Sequence, residues 1–214
     1  MPEKDDGTHD HSFVGVDLDL SYPPGEAPQH HAVQSMLENA AEIEFGVPGY
    51  VLPESIASGQ QLIIPITVTS FTAHNIPSGT SFNREAWLET IITHDADTLF
   101  SSGYIANTAQ ELDKNDPLLL LFTSYLLDET GDTTTSITMT HDMLNETLPA
   151  LGFRYHLYEY ELPTDLTGTI NINVRMRFRA FAPQRLVDVH ADLLANQPVF
   201  DMDQIDSQIL INGN

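Results

Sequence analysis

The chain has no cysteine. That excludes disulfides, thiolate metal sites and covalent haem attachment, which needs a C-x-x-C-H run. Positive charge is scarce: 8 Lys and Arg stand against 31 Asp and Glu, a formal net charge of −23. Such a chain repels a phosphate backbone, so nucleic acid is excluded as a partner, and an anionic membrane surface is disfavoured for the same reason. Cationic partners, divalent ions or a high-salt habitat fit better, with plain solubility as the simplest alternative. No apolar run reaches the ~18 residues of a membrane-spanning helix. The longest, Pro117 to Phe122, is strand-sized, which argues against membrane insertion. The opening MPEKDDGTHDH carries no apolar signal-peptide core. The expectation is either a cytoplasmic protein or the mature portion of an exported one.

What is present reads as β structure. The 214 residues, 41% of them apolar, suffice for one β-rich domain with extra elements. The organising stretch runs from Gln60 to Asp95. Leu62, Ile64, Ile66 and Val68 alternate as in a half-buried strand, and Trp87 to Thr93 is rich in β-branched and aromatic residues. Joined by a turn around Asn75, Pro77, Ser78 and Gly79, they read as a hairpin. Further strands are expected at Ile43 to Phe45, Leu118 to Leu127 (one continuous piece), Thr133 to Thr140, Phe153 to Tyr158 and Ile170 to Phe178, with a last extended segment over Pro198 to Ile211. Val33, Met36, Leu37 and Ala40 have helical spacing. A second helix is expected over Arg185 to Leu194 behind Pro183, and a short helical turn over His141 to Leu148. Phe13 to Leu20 has the composition of a docked edge strand, and Gly103 to Pro117 that of a polar connection. The fold class is therefore mainly β: an antiparallel β-sandwich, immunoglobulin-like or jelly-roll-like, with two short helices and an extended N-terminal arm. Residues 1–41 form the His-rich arm and first helix, and 42–214 the sandwich.

Nine histidines are the most unusual feature of so acidic a chain. His9 and His11 share a face if the arm is extended, and neutral imidazole ligates zinc, copper or haem iron. A solvated His-rich arm is the simpler reading. His74 ends a core strand before the Pro-Ser-Gly turn, as a ligand or as a turn residue bonded to nearby backbone. Arg175, Arg177 and Arg179 share one strand face. They require carboxylates on an adjacent strand or an outside anion such as a haem propionate. Arg84 and Glu85, beside Trp87, read as a buried pair locking the turn. Acidic turns at 95–97, 113–116 and 128–132 offer oxygen ligands for calcium, although none has EF-hand spacing. The chain lacks G-x-S-x-G, H-E-x-x-H and P-loop runs.

Read in order, these pieces resemble a module found toward the C-terminus of many exported bacterial multihaem c-type cytochromes. The matching positions are Ala73-His74, Pro77-Ser78-Gly79, Arg84, Trp87-Leu88, Asp95 to Asp97 and Leu99 to Gly103, followed by Arg175 to Pro183 and Pro198 to Met202. His9 to Asp17 resembles the segment that follows the last haem-attachment motifs there. The departure is the missing cysteines. The resemblance implies a non-catalytic accessory module, periplasmic or extracellular, packed against a multihaem c-type cytochrome. It has no covalent haem of its own. His9, His11 or His74 would ligate or neighbour a haem c supplied by the partner chain. The alternatives are a calcium- or carbohydrate-binding β-sandwich and a His/Asp metal-dependent enzyme. The sequence is also compatible with an oligomer.

Overall fold

The computed structural model describes residues 14–213. Twelve strands and two α-helices occur among them. The first helix, α1 (His30–Glu38), lays Val33 and Leu37 into the core, as its spacing predicts. It leads into β1 (Ala41–Phe45). After the short β2 (Ser55–Ala57) comes β3 (Gln61–Ser70), which pairs antiparallel with β1 on one side and with β10 (Phe153–Glu161) on the other. These make a three-stranded sheet in the order β1-β3-β10.

The larger sheet is built on β4 (Glu85–His94), β5 (Asp97–Ser102), β11 (Gly168–Arg179) and β12 (Phe200–Asn212). Its order is β2-β12-β11-β4-β5, and β6 (Leu121–Phe122) pairs with β4. Among the described strands only the β2–β12 pairing is parallel. Ile64, Ile66 and Val68 from the small sheet and Ile172, Val174 and Met176 from the large one meet in a single buried cluster. The molecule is thus the expected sandwich of mainly antiparallel sheets. A third, small sheet of β7 (Ser124–Leu127), β8 (Thr133–Thr134) and β9 (Asp142–Asn145) sits beside it.

Several expectations need correction. The strands on either side of the His74 turn do not form a hairpin, since β3 and β4 belong to different sheets. β4 is buried on almost every residue, so it needs strands at both sides and cover on both faces. It finds these only in the middle of the larger sheet. The 71–84 connection therefore crosses from one layer to the other.

Leu118 to Leu127 is not one strand. It changes sheets at Thr123, whose hydroxyl donates to the carbonyls of Ser81 (3.2 Å) and Arg84 (2.8 Å). Thr133 to Thr140 pairs only at its start, then turns into a 3₁₀ segment at Ile137–Met139. Ile137 and Met139 stay exposed because no second layer covers them there. His141 to Leu148 contains β9 rather than a helical turn; pairing with β7 overrides local preference. Residues 14–20 form no strand, although Val16 and Leu18 pack against the core.

The second helix, α2 (Pro183–His190), begins at proline as expected and continues as a 3₁₀ segment over Ala191–Asn196. The polar connection after β5 folds back over the outer face of the large sheet. Ile105 and Leu112 cover Trp87 there, and the Trp87 indole donates to the Gly103 carbonyl at 2.9 Å. Gly103 lies at φ +65°, and a Cβ on it would collide with the Leu88 carbonyl oxygen. The backbone conformation and the close approach both demand glycine.

Two outcomes follow. Gly103→Ala should cost at least ~1–3 kcal/mol of stability, measured by urea unfolding. A smaller loss would mean that the Trp87 cover rearranges freely. The second concerns His156 on β10, which bonds the Leu118 carbonyl at 2.9 Å. Burial holds its pKa below the usual histidine value, and the bond only partly offsets this. The unfolded chain then binds the proton more readily, so His156 makes stability fall as pH drops below about 6.5. His156→Gln should flatten the stability–pH slope between about pH 7 and 5, followed by thermal midpoints across that window.

Candidate functional site

The cross-over between the sheets builds the site. Thr72, just beyond β3, donates from its hydroxyl to the His74 carbonyl at 2.6 Å. Ile76 exchanges backbone hydrogen bonds with Leu148 at 2.8 and 2.9 Å, and the Ile76–Pro77 peptide is cis. The Asn75 side chain accepts from the Ala150 amide at 3.1 Å. Gly79 stands at φ +68°, where a Cβ would press against the Arg84 guanidinium at 3.2 Å. The turn is thus pinned at both ends and through its middle.

His74 is exposed on this turn. Its Nδ1 lies 3.0 Å from the Asn75 carbonyl oxygen. A carbonyl only accepts, so the contact assigns the proton to Nδ1. In the neutral ring Nε2 then keeps its lone pair, the form that ligates a metal.

Arg84 ties three segments together. One Nη donates to the Ser78 carbonyl at 2.7 Å, and the other meets Asp17 at 2.9 and 3.2 Å. Its buried Nε makes no hydrogen bond. The expected pairing of Arg84 with Glu85 does not occur. Glu85 opens β4 and turns to Arg179, whereas Arg84, the residue just before the strand, turns to the arm. Sequence reasoning missed Asp17, although it ends the His9 to Asp17 segment that the resemblance had singled out.

Together the turn, the arm and the end of α1 enclose a cavity of about 280 Å³. Leu37, Ile76, Phe178 and Met202 form its apolar lining, and His74, Asp17 and Arg84 supply its polar groups. An apolar pocket with a few fixed polar groups has the form of a binding site. Among the described residues no group of three or more His, Asp or Glu side chains is placed to hold a metal ion. His9 and His11 lie outside the described residues.

The arginine stripe is internal. On β11, Arg175, Arg177 and Arg179 lie opposite Glu89, Trp87 and Glu85 of β4. Glu89 is fully buried and bridges Arg175 and Arg177, the latter at 2.7 Å. Asp201 reaches the same two arginines from β12, at 3.2 and 2.8 Å. A bulge between Met176 and Arg177 sets Asp201 opposite Arg177.

Arg179 is also fully buried. It holds Glu85 at 2.6 Å from Nε and donates to the Gln110 carbonyl at 2.7 Å. The Arg177 and Arg179 guanidinium groups both lie over Trp87, 5.8 and 5.2 Å from the ring centroid. Burial works against the charged form of Arg175, but Glu89 and Asp201 outweigh it and hold its pKa above the ordinary value. The carboxylates expected on adjacent strands are present. Glu85-x-Trp87-x-Glu89 was readable beforehand as a complementary stripe; Asp201 was not, because its place depends on the bulge.

No family model matches the chain, and no curated relative matches it. Among solved structures, a penta-haem cytochrome c552 from Thermochromatium tepidum superposes with TM-score 0.58 at 15% identity. The match covers 82% of this chain and 41% of that one, so the chain spans well under half the length of this neighbour. At that identity the likeness shows a shared fold. The sporulation control protein Spo0M from Bacillus subtilis matches at 8% identity, covering 82% of this chain and 50% of that one, with TM-score 0.33, too low to bear on the argument.

Breaking the innermost pair has a defined outcome. Arg179→Met should lower stability by about 3–5 kcal/mol, because Glu85 is left charged in a dry site. Adding Glu85→Leu should recover part of that loss. Urea unfolding of both single variants and the double would report it, and strict additivity would show that the two side chains are not coupled.

Proposed function

We propose that this β-sandwich is a non-catalytic module of an exported multihaem electron-transfer assembly, packed through the His74 turn against a haem-bearing unit. The observation that carries the reading is the superposition with a penta-haem cytochrome over 82% of this chain but only 41% of that one. This chain has no cysteine to attach a haem covalently. In this reading the haem belongs to the remainder of the assembly, and the sandwich supplies a rigid shoulder for it. His74 is the supporting detail. Its Nε2 is available, its ring is oriented through Nδ1, and the turn is braced by Arg84 and Asn75. An imidazole held that way suits an axial position on iron brought by a neighbour, or a place against a haem edge. The arginine stripe has no part in this proposal, since its charge is spent on Glu85, Glu89 and Asp201.

The test is isolation of the native particle that contains this chain. Haem absorbance should co-purify with it. His74→Ala should shift that spectrum if the imidazole is a ligand, or weaken association if it only neighbours the haem; His9→Ala and His11→Ala report the same for the arm. A particle without haem absorbance overturns the reading.

A further inference from the structure

A second cavity lies on the other side of the 71–84 cross-over, away from His74. It measures about 230 Å³ and is bounded by Phe82, the third sheet and the start of α2. Its lining contains Lys114 and Arg185. This is unexpected in a chain with only 8 basic residues. Among the described residues Arg84, Arg175, Arg177 and Arg179 each have a carboxylate partner, whereas Lys114 and Arg185 have none within ion-pair distance. Two cations without a carboxylate partner among the described residues therefore line one concavity, while acidic groups outnumber basic ones across the chain.

The surroundings favour a small anion. Arg185 is fixed from two sides: one Nη donates to the Thr135 carbonyl at 2.8 Å, and the guanidinium stacks over Phe82, 5.9 Å from the ring centroid. A planar fork held at one end is ready to present its other donors. The first turn of α2 borders the cavity with no side-chain cap and no acidic residue, so its positive end adds to the same field. Threonine hydroxyls from 133–135 supply further donors. Glu85 also borders the space and pairs with Arg179; after burial, Glu146 and Glu85 still help to hold the Tyr125 phenol of the lining above its ordinary pKa, so the site's cations work against two nearby carboxylates. The net charge of −23 slows an anion's approach, yet charges more than about 10 Å away are largely screened at 0.1 M salt. The volume lies below the ~300–1,000 Å³ of sites for drug-sized ligands, which leaves room for an ion of few heavy atoms.

We infer that this cavity is a binding site for a small oxyanion, held between the Lys114 ammonium and the Arg185 guanidinium. Inorganic phosphate and malonate serve as probes, titrated separately into the intact chain at about 0.1 M salt and followed by calorimetry. The two arms separate a tetrahedral oxyanion from a carboxylate. At least one should bind saturably, and Lys114→Gln and Arg185→Gln should each weaken it about tenfold or more. Arg154→Gln removes a cation from the exposed side of β10, likewise without a carboxylate partner, and should leave binding unchanged. Lys114 is exposed, so its variant keeps the fold and decides the matter even if Arg185→Gln destabilises the α2 contact. No saturable binding of either probe overturns the site. Equal weakening by all three substitutions also overturns it, as adventitious ion pairing.

Discussion

A charge taken out of water must be matched within the protein, and that constraint shapes the larger sheet. The fully buried Glu89 and Arg179 sit on neighbouring strands, with Glu85, Arg175, Arg177 and Asp201 completing the set. Arginines on β11 alternate with core residues, and their partners alternate in the same way on β4. A slip of one residue between these strands would point every arginine to the wrong face and strand every carboxylate. The ladder therefore specifies the register of the strands that carry the core. Trp87 lies inside it, and the cover formed by Ile105 and Leu112 rests on Trp87. Apolar side chains can match such a ladder in free energy, but they do not discriminate registers as sharply.

The cross-over at 71–84 depends on the same arrangement. Because β4 is held between β11 and β5, the chain leaving β3 must pass from one layer to the other. The turn gains its rigidity from that passage, through Leu148, Ala150, Thr123 and Asp17. His74 is placed by long-range pairing rather than by a local turn type alone.

Period-2 alternation made most of the core strands legible, and helical spacing revealed α1. Pro183 marked the start of α2. Alternation reports which side of a strand is buried and says nothing about which strand lies beside it, so β3 and β4 were read as a hairpin. The stretch from Leu118 to Leu148 was the least legible. Its strands are short, a single threonine hydroxyl divides the first, and pairing decides the rest. At the site, the turn residues and the arginine stripe stood out by composition. Arg84's true partner did not, because Asp17 lies 67 residues away in sequence.

The flank of β10 carries one more consequence. Among the described residues this strand pairs with β3 alone, and Phe153 and Tyr155 stand exposed on it with ring centroids 4.9 Å apart. A bare sheet margin with aromatic residues is the usual starting point for strands of separate molecules to zip together. Here each copy brings 23 excess negative charges to such an encounter. Mutual repulsion then guards an edge that the described strands leave open, and the guard weakens wherever salt or a cationic surface shields it.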